Sequence, residues 1–276
     1  MRNKKISILY ILTFLIISGC TDFFASLDKH KDWEVNEAGN IILHTRPQDF
    51  SNSQSPDENT IFTILKNQNF YYYLIRDSLK LGYSEKVLIY LFNHDEALEA
   101  IGTNTGGYSM SERSTIYYTY LLASYVDVYN RNAYIGCHEM AHLLTHRSLG
   151  NNYTRMMNDG YAVAISGSFG RTYDEIEERV VARTINEWMQ FHSNNNNILT
   201  PEQLLNEPER PDDVFCPNAG AFISYLWQNY DIENVNKLFN VSSDEIISLF
   251  PTQFGKTFDE ISDDYMKYLE ETYSNE

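Results

Sequence analysis

The chain has 276 residues, with 21 Lys+Arg against 38 Asp+Glu for a formal charge of −17, and 43% of its residues are hydrophobic. Core-forming residues at that density, 21 Tyr among them, exclude an intrinsically disordered chain, and the length suits one large domain or two small ones. No basic cluster offsets the acidic balance, which excludes nucleic acid as a partner, and three Cys without a CxxC pair exclude a disulfide scaffold or a zinc ribbon.

The start of the chain sets the compartment. Arg2, Lys4 and Lys5 precede an apolar run over 6–17, interrupted by Ser7 and Thr13, and then Ser18 and Gly19 stand before Cys20. The run is shorter than the roughly 20 apolar residues of a spanning helix. Small residues directly before a cysteine resemble the lipobox of bacterial lipoproteins, with residues 1–19 as the signal peptide. The resemblance implies that Cys20 is lipidated and holds the mature chain on a membrane of the bacterial cell envelope, outside the cytoplasm. Cleavage there removes three of the 21 basic residues and none of the 38 acidic ones, leaving a charge of −20. Residues 20–32 are polar and charged and read as a tether.

A first, mixed α/β part is expected over 33–114. Ile41, Ile42 and Leu43 form a short strand, and residues 50–59, with Pro56, a loop. Ile61, Ile64, Leu65, Tyr72, Ile75 and Leu79 recur at helical spacing, which predicts a helix over 60–81 stopped by Gly82. Residues 86–92 are β-branched and aromatic and read as a strand, 96–100 as a short helix, and Gly102, Gly106 and Gly107 as a loop. The second part, 115–276, opens with an alternating strand over 115–122. Helices are then expected at about 132–147, 159–166, 173–191, 219–230 and 258–273, with the Asn run 194–197 as a solvated loop. The fold class is α+β.

The chemistry concentrates in His138-Glu139-Met140-Ala141-His142. At a spacing of four, both imidazoles project from one helical face, and the intervening Glu reaches a water polarised by a metal that the histidines hold. Ile135, Ala141, Leu143 and Leu144 mark the helix as buried, and burying two His and a Glu without a metal or partners is costly. Zn²⁺ with two neutral imidazoles, one further ligand and an open position is what hydrolysis by this motif requires. The extended pattern HExxHxxGxxH fails, because Thr145 and Ser148 stand where Gly and His are needed. His146 lies one turn too far along for the same ion and reads as a helix-end charge or surface residue. Asp159, opening the next helix, is the first candidate for the third ligand, with Glu175, Glu177 and Glu178 in reserve. Gly160, Ala162 and Ala164 would let this helix pack closely on the HExxH helix.

HEMAH followed by Asn158-Asp159-Gly160-Tyr161-Ala162 resembles the gluzincin metallopeptidases, in particular the peptidase MA-like domain, where HExxH is followed by a glutamate in an E-G-x-A segment. The resemblance implies zinc on His138, His142 and Asp159, Glu139 as general base, and a zincin-like catalytic unit that cleaves peptide bonds in a peptide or protein substrate. Asp159 departs from the family's glutamate by one methylene. The segment 219–226 with Tyr230, Asp231 and 235–239 is similar to the family's later helix, and 257–269 to its closing helix, so the likeness spans most of 40–270. In similar peptidases an edge strand placed like 115–122 pairs with extended substrate. Tyr225 or Tyr230 is a candidate donor to the oxyanion, with packing as the simpler role for both. With Cys20 lipidated, Cys137 and Cys216 either form a disulfide pinning two helices or remain two buried free thiols. The rival to a peptidase is a non-catalytic surface lipoprotein of the same fold that binds protein or glycan.

Overall fold

The computed structural model describes residues 33–46, 58–92, 106–120, 124–126, 133–151, 154–174 and 179–273. The signal peptide, Cys20, the tether, the expected helix at 96–100 and the reserve ligands Glu175, Glu177 and Glu178 lie outside them. Among the described residues no helix is long and apolar enough to cross a membrane.

The first part is a five-stranded mixed sheet. A hairpin of β1 (Glu34–Ala38) and β2 (Ile41–Thr45) is followed by helix α1 (Glu58–Ser78), β3 (Val87–Phe92), edge strand β4 (Gly107–Met110), a 3₁₀ turn (Ser111–Arg113) and β5 (Thr115–Thr119). The spatial order is β1-β2-β3-β5-β4, with β2, β3 and β5 parallel and both outer strands antiparallel. Parallel strands need crossovers, and α1 supplies the one between β2 and β3. Alternation sends Ile41, Leu43, Val87, Ile89, Leu91, Ile116 and Tyr118 into the main core beside Ile64, Tyr72 and Ile75 of α1. The opposite face carries a cross-strand ladder, His44 stacked on Tyr90 at 4.4 Å and Tyr90 on Tyr117 at 5.5 Å. The left-handed backbone that ends α1 is at Lys80 (φ 52°), not at the expected Gly82.

The position of β4 corrects the sequence reading twice. Gly107 opens a strand rather than closing a loop, and β5, expected as the edge, is an inner strand between β3 and β4. Tyr108, Ser109 and Met110 alternate too weakly in hydropathy to mark a strand, and its pairing to β5 is what makes it one.

The second part begins with the short hairpin β6 (Ser124–Val126) and β7 (Ala133–Ile135) and continues into α2 (His138–Leu149) and α3 (Arg155–Ser166). The helix expected over 173–191 is half a hairpin: β8 (Ser168–Asp174) pairs with β9 (Arg179–Thr184), and only then does α4 (Ile185–Asn194) start. Val180, Val181 and Thr184 are β-branched and favour the strand, and Thr184 with Glu187 builds the capping box that starts α4. Next come α5 (Pro201–Asn206), α6 (Asp212–Asn229), α7 (Ile232–Asn236), α8 (Ser243–Phe254) and α9 (Phe258–Tyr273). One hydrophobic cluster runs from Ile41 in β2 to Tyr273 in α9, so both parts share a core.

Gly160 does not serve the contact with the HExxH helix. A Cβ there would lie 2.8 Å from Ile223 Cγ1 and 3.1 Å from the Ala219 carbonyl oxygen, both on α6. Gly220 returns the contact, its Cβ position lying 2.4 Å from Val163 Cγ1. These two glycines let α3 and α6 cross at close range. Val163 has little χ1 freedom in a helix. Gly220→Ala should therefore cost more through overpacking, about 1–3 kcal/mol, than the roughly 1 kcal/mol that Ala gains in helix propensity. Urea unfolding should show a lower midpoint for this variant, and a raised midpoint would mean that α3 and α6 can separate freely.

Candidate active site

The HExxH helix is set in place from α1. Gln68, fully buried, donates from Nε2 to the carbonyls of Ile135 (3.0 Å) and Gly136 (3.1 Å), immediately before α2. Its Oε1 accepts from the Tyr118 hydroxyl at 3.4 Å, so one amide connects α1, β5 and the approach to α2. Cys137 precedes the helix with no side-chain cap, and α2 lies against β4, the 3₁₀ turn and β5.

On α2 the two imidazoles face each other, with His138 Nε2 and His142 Nε2 3.1 Å apart and the rings perpendicular. Burial, reinforced by His142, pushes His138 down to about 3. Burial also holds His142 below the ordinary histidine value, against the opposing charge of Asp159. Both rings are therefore neutral near pH 7, which leaves nitrogen lone pairs for a metal.

Asn158 decides which nitrogen of His142 offers that lone pair. Its Nδ2 donates to Asp159 Oδ1 at 2.9 Å, so its Oδ1 is the atom that faces the histidines. That oxygen accepts from His142 Nδ1 and from His146 Nε2, each at 2.9 Å. With the proton on Nδ1, Nε2 of His142 is the free base, the arrangement that outer hydrogen bonds give metal-ligating histidines. His146, expected as a helix-end or surface residue, is half-buried against Phe239 and joins this network instead.

Glu139 is placed by β4. The Ser109 backbone N–H donates to its carboxylate, and Gly107 lies so close that a Cβ there would sit 2.6 Å from Glu139 Cγ. Burial, then the nearby charge of Asp159, pushes the Glu139 carboxyl up to about 7, and the Ser109 bond opposes the rise. A carboxyl poised near neutrality suits a general base. Glu139, His142, His146 and Asn158 line a cavity of about 280 Å³ whose other wall is Tyr108, Ser109 and Ser111. Tyr225 and Tyr230 do not line this cavity: Tyr225 packs on Tyr265 and Tyr268, and Tyr230 on Phe254. Among the described residues, Tyr108 is the tyrosine that lines the cavity.

Asp159 is one residue beyond Asn158. Its Oδ2 accepts from Arg155 Nε at 2.9 Å and from the Cys216 thiol at 3.6 Å, and its Oδ1 from Asn158. Among the described residues no three His, Cys, Asp or Glu side chains are grouped closely enough to hold an ion. The donors nonetheless fit zinc in kind: two neutral imidazoles, and a carboxylate whose charge reaches both His142 and Glu139. For the two histidines alone the spacing fits as well, because two nitrogens each about 2.0–2.1 Å from one zinc ion stand roughly 3.0–3.4 Å apart, and here the two Nε2 atoms are 3.1 Å apart.

Of the two alternatives left open for the cysteines, the structure has free thiols and no Cys137–Cys216 disulfide. Cys137 points to the Ile165 carbonyl at 4.0 Å while Cys216 points to Asp159, so the two sulfurs have separate partners. Burial pushes the Cys137 thiol up to about 12, which makes it unreactive at neutral pH.

Asn158, Arg155, Gly107, Ser109, Tyr108 and Ser111 are site residues that sequence reading missed, and His146 is one that it set aside. Only Asn158 carried a signal, as the polar neighbour of a candidate ligand. Compared with known proteins, the chain matches no protein-family model and no curated protein sequence.

Proposed function

We propose that the protein is a zinc-dependent metallopeptidase of zincin-like, gluzincin-type fold. The observation that carries the reading is the pair of neutral Nε2 atoms 3.1 Å apart, next to a Glu139 carboxyl held at a cavity wall by an edge strand. His138, His142 and Asp159 would hold the ion. When bound, zinc supplies Lewis-acid polarisation of water and of the substrate carbonyl. Glu139 accepts the proton of the attacking water and passes it to the leaving amine. Asn158 keeps His142 in its metal-binding tautomer. β4 is at the sheet edge among the described residues and borders the cavity, so an extended peptide could add to it by backbone hydrogen bonds while its carbonyl meets Glu139. The body is held at the bacterial envelope through lipidated Cys20.

Metal content tests this reading. Purified without added metal, the unaltered chain should contain about one zinc, as a single site of three protein ligands and one open position requires, and His142→Ala and Asp159→Ala should lose it. Zinc kept by Asp159→Ala would move the third ligand to Glu175, Glu177 or Glu178, and no zinc even after reconstitution would sink the peptidase. The engagement of Asp159 by Arg155 is what favours the other reading, a lipoprotein of the same fold that binds protein or glycan without turnover.

A further inference from the structure

We infer that the outer face of α1 docks on the membrane surface that holds the lipid anchor, with Phe62, Phe70 and Leu74 entering the headgroup region and Lys66 meeting anionic phosphate. This rests on the lipoprotein reading of Cys20 and not on the metal. Helix α1 is apolar on two sides. Ile61, Ile64, Leu65, Tyr72, Ile75 and Leu79 enter the core, whereas Phe62, Lys66, Phe70 and Leu74 follow one another at intervals of four along the exposed side. At about 100° per residue, Phe70 stands roughly 180° from Ile61. Phe62 is 66% exposed and Phe70 59%. Single exposed apolar residues are ordinary, but a row of them on a helix already buried along its other side marks a surface that something covers.

The occupant follows from charge and from the tether. Acidic residues number 38 in 276, which would put about two in a stretch as long as Thr60–Arg76, and that stretch has none. It carries Lys66 and Arg76 instead, and the first acid after it, Asp77, pairs with Arg76 at 2.7 Å. Helix α9 shows what this chain presents to water: Asp259, Glu260, Asp263, Glu270 and Glu271 are exposed there, and no apolar side chain is. The face of α1 departs from that pattern in the direction that anionic lipid favours, and acids on other faces are screened beyond about 8 Å at physiological salt. One lysine between two aromatic rings binds a bilayer weakly by itself, but an anchor makes docking intramolecular. From Cys20 to Trp33 the chain reaches at most roughly 45 Å. Strand β1 follows directly, and α1 is bonded to the turn that ends it: the Asn40 N–H donates to Asn69 Oδ1 at 3.2 Å and the Tyr73 hydroxyl to Asn40 Oδ1 at 3.1 Å. The anchor therefore keeps α1 within reach of the bilayer.

The test uses the full lipidated chain in vesicles of phosphatidylethanolamine and phosphatidylglycerol whose acyl chains carry bromine, a short-range quencher of tryptophan fluorescence. Mass spectrometry first establishes the lipid on Cys20. Measured against the background of Trp33, Trp188 and Trp227, Phe70→Trp should add emission that the bromines quench, and Phe191→Trp, on the exposed side of α4, emission that they do not. Both reporters exchange one exposed aromatic ring for another, so the fold is kept. Adding Phe62→Ser to Phe70→Trp should lower the ratio of docked to undocked chain about 10-fold, the worth of one largely exposed Phe taken out of water, and the quenching with it. Lys66→Glu should reduce the quenching more in these anionic vesicles than in vesicles of phosphatidylcholine, and equal effects would overturn the contact with anionic phosphate. No quenching of Phe70→Trp in a chain lipidated at Cys20 overturns the docking alone, as does equal quenching of Phe191→Trp. No lipid on Cys20 overturns the docking and the lipoprotein reading together and leaves the metal site untouched. Self-association of the unaltered chain that Phe62→Ser abolishes, without quenching, gives the face to a second copy and overturns the membrane as its occupant.

Discussion

Glu139→Gln is expected to lower turnover of a peptide library by about 10²–10⁴-fold, the range a general base contributes, while zinc content stays that of the unaltered chain. Gln keeps the size of Glu139 and an oxygen for the Ser109 N–H, so β4 and the cavity wall are undisturbed. What it lacks is a basic oxygen. Because His138 and His142 are separate residues on α2, the proposed zinc site keeps its histidine donors in this variant. Equal turnover by both proteins would place the base elsewhere, and no turnover by either would favour the binding protein. The activity of the unaltered chain should also fall toward acid pH, since Glu139 must be ionised to accept a proton. Burial and Asp159 push its carboxyl up to about 7. A cation beside it favours the ionised form, so the acid limb of the zinc-loaded enzyme is expected below pH 7. An acid limb above pH 7 would contradict that direction.

What could be read from the sequence was local. HExxH is a statement about one helical face, and four-residue spacing brings His138 and His142 together whatever surrounds them. The helix over 60–81 and the strand over 86–92 were legible for the same reason, because periodicity and β-branching act within a few residues. The rest depends on distant pairing. Nothing near Gly107 announces that its missing side chain makes room for Glu139, and β4 becomes a strand only by pairing with β5. The close approach expected between Gly160 and the HExxH helix is made with α6 instead, some sixty residues on, where Gly220 supplies the matching gap. Arg155 looks like an ordinary surface charge until Pro208, Arg210 and Asp212 are folded against it. At 173–191 one continuous helix was expected, whereas Val180 and Val181 within that span belong to a strand that pairs with β8.

Gly107→Ala should lower kcat by about 10²-fold, the penalty for moving a catalytic group by roughly 1 Å, with zinc content unchanged. The new Cβ would lie 2.6 Å from Glu139 Cγ and 2.9 Å from Tyr118 Cδ1, and both distances are shorter than nonbonded carbons tolerate. Tyr118 is buried in the core and bonded to Gln68, so it has little room to retreat. Glu139 borders the cavity and is the side chain that would yield, which carries its carboxylate off the Ser109 N–H. His138 and His142 do not touch this contact, and that separates loss of the base from loss of the metal. Gly82→Ala is the matched control, because a Cβ there meets nothing within 4 Å. Full kcat in Gly107→Ala would mean that β4 does not hold the base, and the closeness of strand and carboxylate would be packing without a catalytic consequence.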